Sequence, residues 1–366
     1  MVGDELKEAL KDVHVIGIRS KTKLTAEVIN AAPKLIAIGC FCIGTNQVDL
    51  KAAAARGIPV FNSPYANSRS VAELIISQIV SLARQLGDRN REIHEGNWNK
   101  VSAECYEIRG KTLGIVGYGH IGSQVSVLAE SMGMRVKFYD IVPKLALGNA
   151  SQSGTLQELF EEADFVTLHV PATSETAYMI TKVEIAWMKP KSYLLNASRG
   201  NVVVIEDLAA ALKSGALSGA YVDVFPTEPK GNGNGFETPL RGLKNVLLTP
   251  HIGGSTEEAQ AAIGVEVASK LMRYTNSGTT TDAVNFPQCD LPYLEVTHRI
   301  CNVHRNVPGV LKKINDVLGD YNVSGQALGT KDGIGYLMVQ VDSKFSETIK
   351  QKVMEVDESI RTRVMW

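Results

Sequence analysis

No charge of one sign dominates this chain: 38 basic residues stand against 39 acidic ones, a formal net charge of −1. Binding to nucleic acid or an anionic membrane through charge needs a basic excess, so neither partner is expected. No apolar run reaches the ~18 residues that span a bilayer. The stretch from Met1 to Glu8 lacks the apolar core of a signal peptide. Cysteine is scarce, with five residues at 40, 42, 105, 289 and 301. Cys40-Phe-Cys42 is not CxxC, and no second pair or nearby histidine completes a zinc set. No metal site is therefore expected, and reduced thiols in the cytoplasm are the economical reading. The 366 residues, 44% apolar and 21% charged, have an ordinary globular composition. That length corresponds to about two or three domains.

What the chain does contain is Leu113-Gly-Ile-Val-Gly-Tyr-Gly-His-Ile-Gly-Ser-Gln124, with glycines at 117, 119 and 122 after a short apolar run. The next apolar run, Arg135–Asp140, ends in an acid 18 positions past the last glycine. A dinucleotide site needs these parts. Gly117 makes the strand-to-helix turn, Gly119 lets the pyrophosphate approach bare backbone, and Gly122 lets helix and strand pack closely. The helix start, with His120 and Ile121 in its first turn, favours the phosphates. Asp140 accepts from the adenosine ribose hydroxyls and repels a 2′-phosphate, which points to NAD rather than NADP. The alternative is a glycine-rich turn that holds no ligand.

Short apolar strands alternate with helical segments along most of the chain, the pattern of a doubly wound parallel sheet. Strands are expected at Val13–Ile18, Leu35–Ile38 and Pro59–Phe61, with a short helix over Lys51–Arg56. Ser70-Val-Ala-Glu73 reads as a capping box opening a buried helix over Val71–Leu86. After the glycine unit come strands at Asp164–His169, Lys191–Asn196, Gly219–Asp223 and Asn245–Thr249. Their polar residues fall at the same carboxyl edge as the glycine loop, so distant positions gather there. Trp98 lies in a polar stretch, as a surface-packed side chain or an interface anchor. Ser255-Thr-Glu-Glu258 reads as a second capping box, opening a helix to about Arg273. Residues 275–293 read as a linker. From His298 onward a βαββαβ module is expected; it has no evident catalytic set, so binding or dimerisation suits it better.

Arg199, Glu228 and His251 all follow strand ends. Hydride removal from a hydroxyl carbon needs a base for the hydroxyl proton, and histidine suits because its reference pKa of ~6.5 lies near working pH. A carboxylate beside it orients the imidazole and stabilises its protonated form. An arginine can grip an adjacent carboxylate through two parallel hydrogen bonds. The plainer alternatives are an Arg199–Glu228 salt bridge and a loop histidine at 251.

These motifs resemble the D-isomer-specific 2-hydroxyacid dehydrogenases over nearly the whole chain, and most closely the members that oxidise 3-phosphoglycerate. The resemblance rests on Ile38-Gly-Cys-Phe-Cys-Ile-Gly-Thr-Asn-Gln-Val-Asp49, Asn67-Ser-Arg-Ser-Val-Ala-Glu73 and the Gly117–Gly122 loop. It rests equally on Asn196-Ala-Ser-Arg-Gly200, Asp223-Val-Phe-Pro-Thr-Glu-Pro229 and Leu248-Thr-Pro-His-Ile-Gly-Gly-Ser-Thr256. It implies an α/β fold with three parts. Residues 67–253 form a Rossmann-like NAD domain. Residues 1–66 and 254–292 form a smaller flavodoxin-like substrate domain, and 293–366 a βαββαβ ACT regulatory domain. The substrate domain is expected to be shortened by a strand and helix of about 40 residues ahead of Met1, with an unpaired sheet edge.

The resemblance further implies NAD-dependent oxidation of D-3-phosphoglycerate to 3-phosphohydroxypyruvate, the first step of L-serine biosynthesis, with a possible 2-oxoglutarate reductase side activity. His251 is then the acid/base, Glu228 its partner and Arg199 the substrate-carboxylate ligand. Asp223 and the backbone near it hold the nicotinamide carboxamide, and His169 completes the cofactor contacts. Arg19, Ser20, Asn67 and Gln260 line the substrate pocket, with Arg19 near the phosphate. His304, Asn306 and Asn322 match an L-serine effector site. Trp98 and Lys100 match a segment that reaches an adjacent subunit, and the implied assembly is a homotetramer. The competing readings are a glyoxylate or hydroxypyruvate reductase and a non-catalytic NAD-sensing protein on the same scaffold.

Overall fold

The computed structural model describes residues 3–229, 231–292, 294 and 297–366. The expected domain starts at Met1 and Tyr293 lie outside the described residues. Two compact units are present: Met1–Ala66 with Gln260–Trp366, and Asn67–Ala259.

The first unit begins with α1 (Gly3–Ala9), β1 (Val15–Ile18), α2 (Ala26–Asn30), β2 (Ala37–Cys40), α3 (Leu50–Ala55) and β3 (Val60–Phe61). The three strands form a parallel sheet in the order β1-β2-β3. Thr25 and Asp49 start α2 and α3 by accepting from the Val28 and Ala52 backbone N–H groups. Alternation along β2 supplies two cores: Ile38 and Cys40 join Leu6, Ile29 and Leu35, while Ala37 faces the opposite side.

In the second unit come α4 (Ser68–Ala83), α5 (Leu86–His94), β4 (Thr112–Val116), α6 (His120–Ser131), β5 (Arg135–Tyr139) and β6 (Ser151–Gln152). They are followed by α7 (Leu156–Glu162), β7 (Phe165–Leu168), α8 (Lys182–Trp187), β8 (Tyr193–Asn196), α9 (Ile205–Ser214), β9 (Gly219–Val222) and β10 (Val246–Leu248). The seven strands are all parallel, in the order β10-β9-β8-β7-β4-β5-β6. The order reverses at β4, so the switch point where such sheets bind ligands falls at the glycine loop after β4. Val71, Ile75 and Ile79 of α4 cover one face together with Val125 and Ala129 of α6. Leu159, Ile185 and Leu208 from α7, α8 and α9 cover the other.

Several local expectations are corrected. The helix expected over 71–86 starts at Ser68 and stops at Ala83; Gln85 turns left-handed (φ 53°), and α5 begins anew at Leu86. Ser70 and Glu73 form no capping box, because Ser70 Oγ meets Thr256 Oγ1 at 2.8 Å and Glu73 pairs with Arg69. The capping boxes are instead at Thr155–Glu158 and Thr181–Glu184.

The last helix before the tail, α10, spans Glu257–Ser277, four residues beyond its expected end. Its start is held one position later than expected: Thr256 Oγ1, not Ser255, accepts from the Ala259 N–H. The stretch expected as a linker is packed, with Thr280, Ala283 and Phe286 buried. Asn285 Oδ1 accepts from the Val60 N–H, and Ala283 bridges Phe61, so the segment is fastened along β3. β11 (Thr297–Arg305), α11 (Val310–Leu318), β12 (Val323–Lys331), β13 (Ile334–Asp342), α12 (Ser346–Met354) and β14 (Ser359–Met365) complete the chain. This βαββαβ run forms an antiparallel sheet in the order β12-β13-β11-β14. Ile300, Leu337 and Val339 pack under α11 and α12. Cys301, Val303 and Tyr336 pack on the opposite side with Tyr274 and Phe286.

Candidate active site

Each glycine of the loop after β4 has a separate physical reason. Gly117 has φ +91°, and a Cβ there would lie 2.4 Å from the His169 carbonyl oxygen. A Cβ at Gly122 would lie 2.2 Å from the Gly117 carbonyl oxygen, so α6 can start this close to β4 only without one. A Cβ at Gly119 would have nothing within 4 Å. That bare backbone at the start of α6 is the cradle a pyrophosphate requires, and a side chain would fill it. His120 and Ile121 occupy the first turn of α6. Asp140, at the end of β5, accepts from the Tyr118 N–H at 2.8 Å and from the Val142 N–H at 3.0 Å. Its carboxylate therefore ties the glycine loop to the next strand, and still has lone pairs for ribose hydroxyls.

His169 follows β7, with Nε2 3.0 Å from Thr167 Oγ1. Its Nδ1 is covered and has no hydrogen-bond partner among the described residues. Burial pushes its pKa down to about 3, so the ring is neutral.

The loops after β8, β9 and β10 interlock through backbone and one buried carboxylate. Gly200 packs on the backbone of Phe225 and Pro226, where a Cβ would come within 2.0 Å. Asp223 is 1% exposed. Its Oδ1 accepts from Thr249 Oγ1 at 2.5 Å and from the Ile252 N–H at 2.9 Å, and its Oδ2 from the Gly253 N–H at 2.8 Å. Since Thr249 must donate to that carboxylate, the 2.8 Å contact between Tyr221 and Thr249 runs from the tyrosine hydroxyl. This network holds the segment carrying His251, whose φ of +56° is a strained setting worth about 1–3 kcal/mol for a non-glycine residue. His251 Nδ1 lies 3.0 and 2.9 Å from the two Glu228 carboxylate oxygens. Glu228 Oε1 also accepts from the Phe225 N–H at 3.2 Å. Arg199 donates to the Ser198 carbonyl at 2.7 Å; among the described residues no ion pair joins it to Glu228, so the plain salt-bridge alternative is absent. The Asn196 side chain shapes the Arg199 turn by accepting from Ser198 and donating to the Arg199 carbonyl.

Asn67 is 7% exposed, its Oδ1 has no partner among the described residues, and its amide packs on Gly254. In the other unit, Arg19 donates to Gln260 Oε1 at 2.6 Å. Both border a cavity of about 330 Å³ that Gly17, Phe41, Ile263 and Gly264 also line. Ser20 is exposed in the turn after β1.

The three expected effector residues do not converge. His304 pairs across the sheet with Gly335, and Asn306 follows it, whereas Asn322 precedes Val323, which pairs with Val341. These positions stand at opposite ends of the tail sheet, roughly 20 Å apart along the strands.

Sequence reasoning missed Thr249 and Tyr221. No local signal marks either residue, because their meeting depends on the register of β10 against β9. No helix of the described residues is long and apolar enough to cross a membrane.

Residues 76–253 match the family described as "D-isomer specific 2-hydroxyacid dehydrogenase, NAD binding domain". D-3-phosphoglycerate dehydrogenase of Dictyostelium discoideum is 56% identical over 363 residues, covering 99% of this chain and 89% of that protein. The Haemophilus influenzae enzyme of the same name is 54% identical over 366 residues, covering 100% and 89%. Among solved structures, a D-lactate dehydrogenase from Aquifex aeolicus complexed with NAD and lactic acid aligns with a TM-score of 0.65 and 30% identity, over 74% of this chain and 85% of that one. Identity at that level from end to end, on a fold whose sheet order turns at the glycine loop, settles the grouping: the chain belongs to the D-isomer specific 2-hydroxyacid dehydrogenases, among the D-3-phosphoglycerate dehydrogenases.

Proposed function

We propose that the chain oxidises D-3-phosphoglycerate to 3-phosphohydroxypyruvate with NAD, the first step of L-serine biosynthesis. The observation that carries the chemistry is the His251–Glu228 pair. A carboxylate on Nδ1 requires the proton there, which leaves the Nε2 lone pair for substrate. Nε2 takes the proton of the C2 hydroxyl, and Glu228 stabilises the imidazolium that results. Bound NAD supplies the acceptor for the hydride that leaves C2. Arg199 grips the adjacent carboxylate, and Asn67 offers its unpartnered Oδ1 to the substrate. Arg19, with Gln260 and Ser20, receives the phosphate. Asp223 keeps one lone pair for the nicotinamide carboxamide after its three internal acceptances. A 2-oxoglutarate reductase side activity follows if a distal carboxylate takes the phosphate's place.

Two rival readings are separable. A glyoxylate or hydroxypyruvate reductase has no need of Arg19, and a non-catalytic NAD sensor has no need of turnover. The kcat/KM for 3-phosphoglycerate should exceed that for D-glycerate by about a hundredfold, the worth of one or two charge-assisted contacts. Equal use of both contradicts the phosphate reading, and NADH binding without turnover favours the sensor. Asp140→Ala should raise the ratio of NADP to NAD use; an unchanged ratio means another residue makes that choice.

L-Serine is the proposed effector, and the assembly a cytoplasmic homotetramer through its NAD and ACT domains. One serine can touch His304, Asn306 and Asn322 only if two copies contribute. β12 is an edge strand, and two such edges running antiparallel bring the start of one to the level of the other's His304. Trp98, 84% exposed, and Lys100 provide the second contact surface.

A further inference from the structure

His304 is 1% exposed, and the hydrogen bonds behind it all run in one direction. Ser359 Oγ donates its single hydrogen to the Val353 carbonyl at 2.7 Å, so toward Asn302 it can only accept. The atom of Asn302 facing it at 2.8 Å is therefore the amide nitrogen, whose other hydrogen goes to Thr362 Oγ1 at 2.9 Å. That leaves Asn302 Oδ1 turned to His304 Nδ1, 2.9 Å away. An amide oxygen cannot donate, so Nδ1 carries the proton. Gly335 makes room for the far end of the ring: a Cβ there would lie 2.1 Å from Nε2. Among the described residues none forms a hydrogen bond with Nε2. The chain that follows the ring, Arg305–Gly309, is exposed.

We propose that Asn302, oriented by Ser359 and Thr362, is a positioning residue that locks His304 in the Nδ1–H tautomer, so that Nε2 serves only as an acceptor. The ligand class this selects is a small amino acid that offers an ammonium or hydroxyl hydrogen; a ligand with acceptors alone meets a lone pair and is refused. The inference rests on the reading of His304 as an effector contact, and adds what sets its polarity. Burial, which pushes the imidazole pKa down, keeps the ring in the neutral form that has such a lone pair.

The experiment uses the full chain with ¹⁵N-labelled histidine. Long-range ¹H–¹⁵N spectra report each ring nitrogen, with His304→Gln assigning the signals, and NADH formation is followed against added L-serine. The unaltered chain should display a protonated Nδ1 and a bare Nε2 at His304. Asn302→Leu should release the tautomer and raise the half-inhibiting serine concentration about tenfold, the worth of one hydrogen bond to a charged donor. Its turnover without serine should be unchanged. A proton on Nε2 in the unaltered chain overturns the relay even if Asn302→Leu fails to fold, and so does full serine sensitivity in Asn302→Leu. Absence of any serine response in the unaltered chain overturns the effector reading instead, whatever tautomer is seen.

Discussion

His251→Ala should lower kcat by about 10²–10⁴-fold while NADH affinity stays within a few fold. The asymmetry follows from position. The imidazole hangs from a left-handed residue after β10, paired through Nδ1 with Glu228, and takes no part in the glycine loop or the Asp140 contacts. Removing it takes away the group that accepts the hydroxyl proton and leaves the dinucleotide cradle intact. The backbone N–H groups of residues 251–253 donate to Asp223 whatever the side chain at 251, so the loop should survive. Stopped-flow turnover and NADH fluorescence titration separate the two quantities. Unchanged turnover would remove His251 from the chemistry.

Gly119→Val should cut NAD affinity by about a hundredfold or more without unfolding the protein. Nothing lies within 4 Å of a Cβ at Gly119, and its φ of −86° is open to any residue, so the branching carbon itself meets no internal clash. The added methyl groups occupy the space a pyrophosphate needs. Losing one or two hydrogen bonds to a charged group at about 1.5–3 kcal/mol each gives that magnitude. Gly122→Ala is the contrasting control. Its Cβ would meet the Gly117 carbonyl oxygen at 2.2 Å, so it should lower the thermal midpoint as well as the affinity. Equal thermal midpoints for both variants, or wild-type NAD affinity in Gly119→Val, would contradict this account of the loop.

The parts that could be read in the sequence share a physical cause. Parallel strands separated by helices deliver every strand end to one edge, so Asp140, Arg199, Glu228 and His251 could be gathered on paper without knowing a distance. The glycine spacing was equally legible, because each position answers to a steric demand that only glycine meets. Helix starts were harder. Ser70 and Glu73 have the spacing of a capping box, but the chain is already helical from Ser68, and the Ser70 hydroxyl turns to Thr256 instead. Propensity placed threonines, glycine and prolines of the 275–293 stretch in a linker, whereas tertiary packing buries Thr280 and Phe286 and fastens Asn285 to β3. The Tyr221–Thr249–Asp223 network was invisible because it depends on the register of β9 against β10, which no local pattern encodes. The separation of Asn322 from His304 likewise emerges only from strand pairing.

The reaction of this chain is hydride transfer from C2 of 3-phosphoglycerate to NAD. Purified protein given 3-phosphoglycerate deuterated at C2, together with NAD, should produce reduced cofactor carrying one deuterium per molecule, in step with 3-phosphohydroxypyruvate, as read by mass spectrometry. No reduced cofactor, or reduced cofactor without the label, would contradict it.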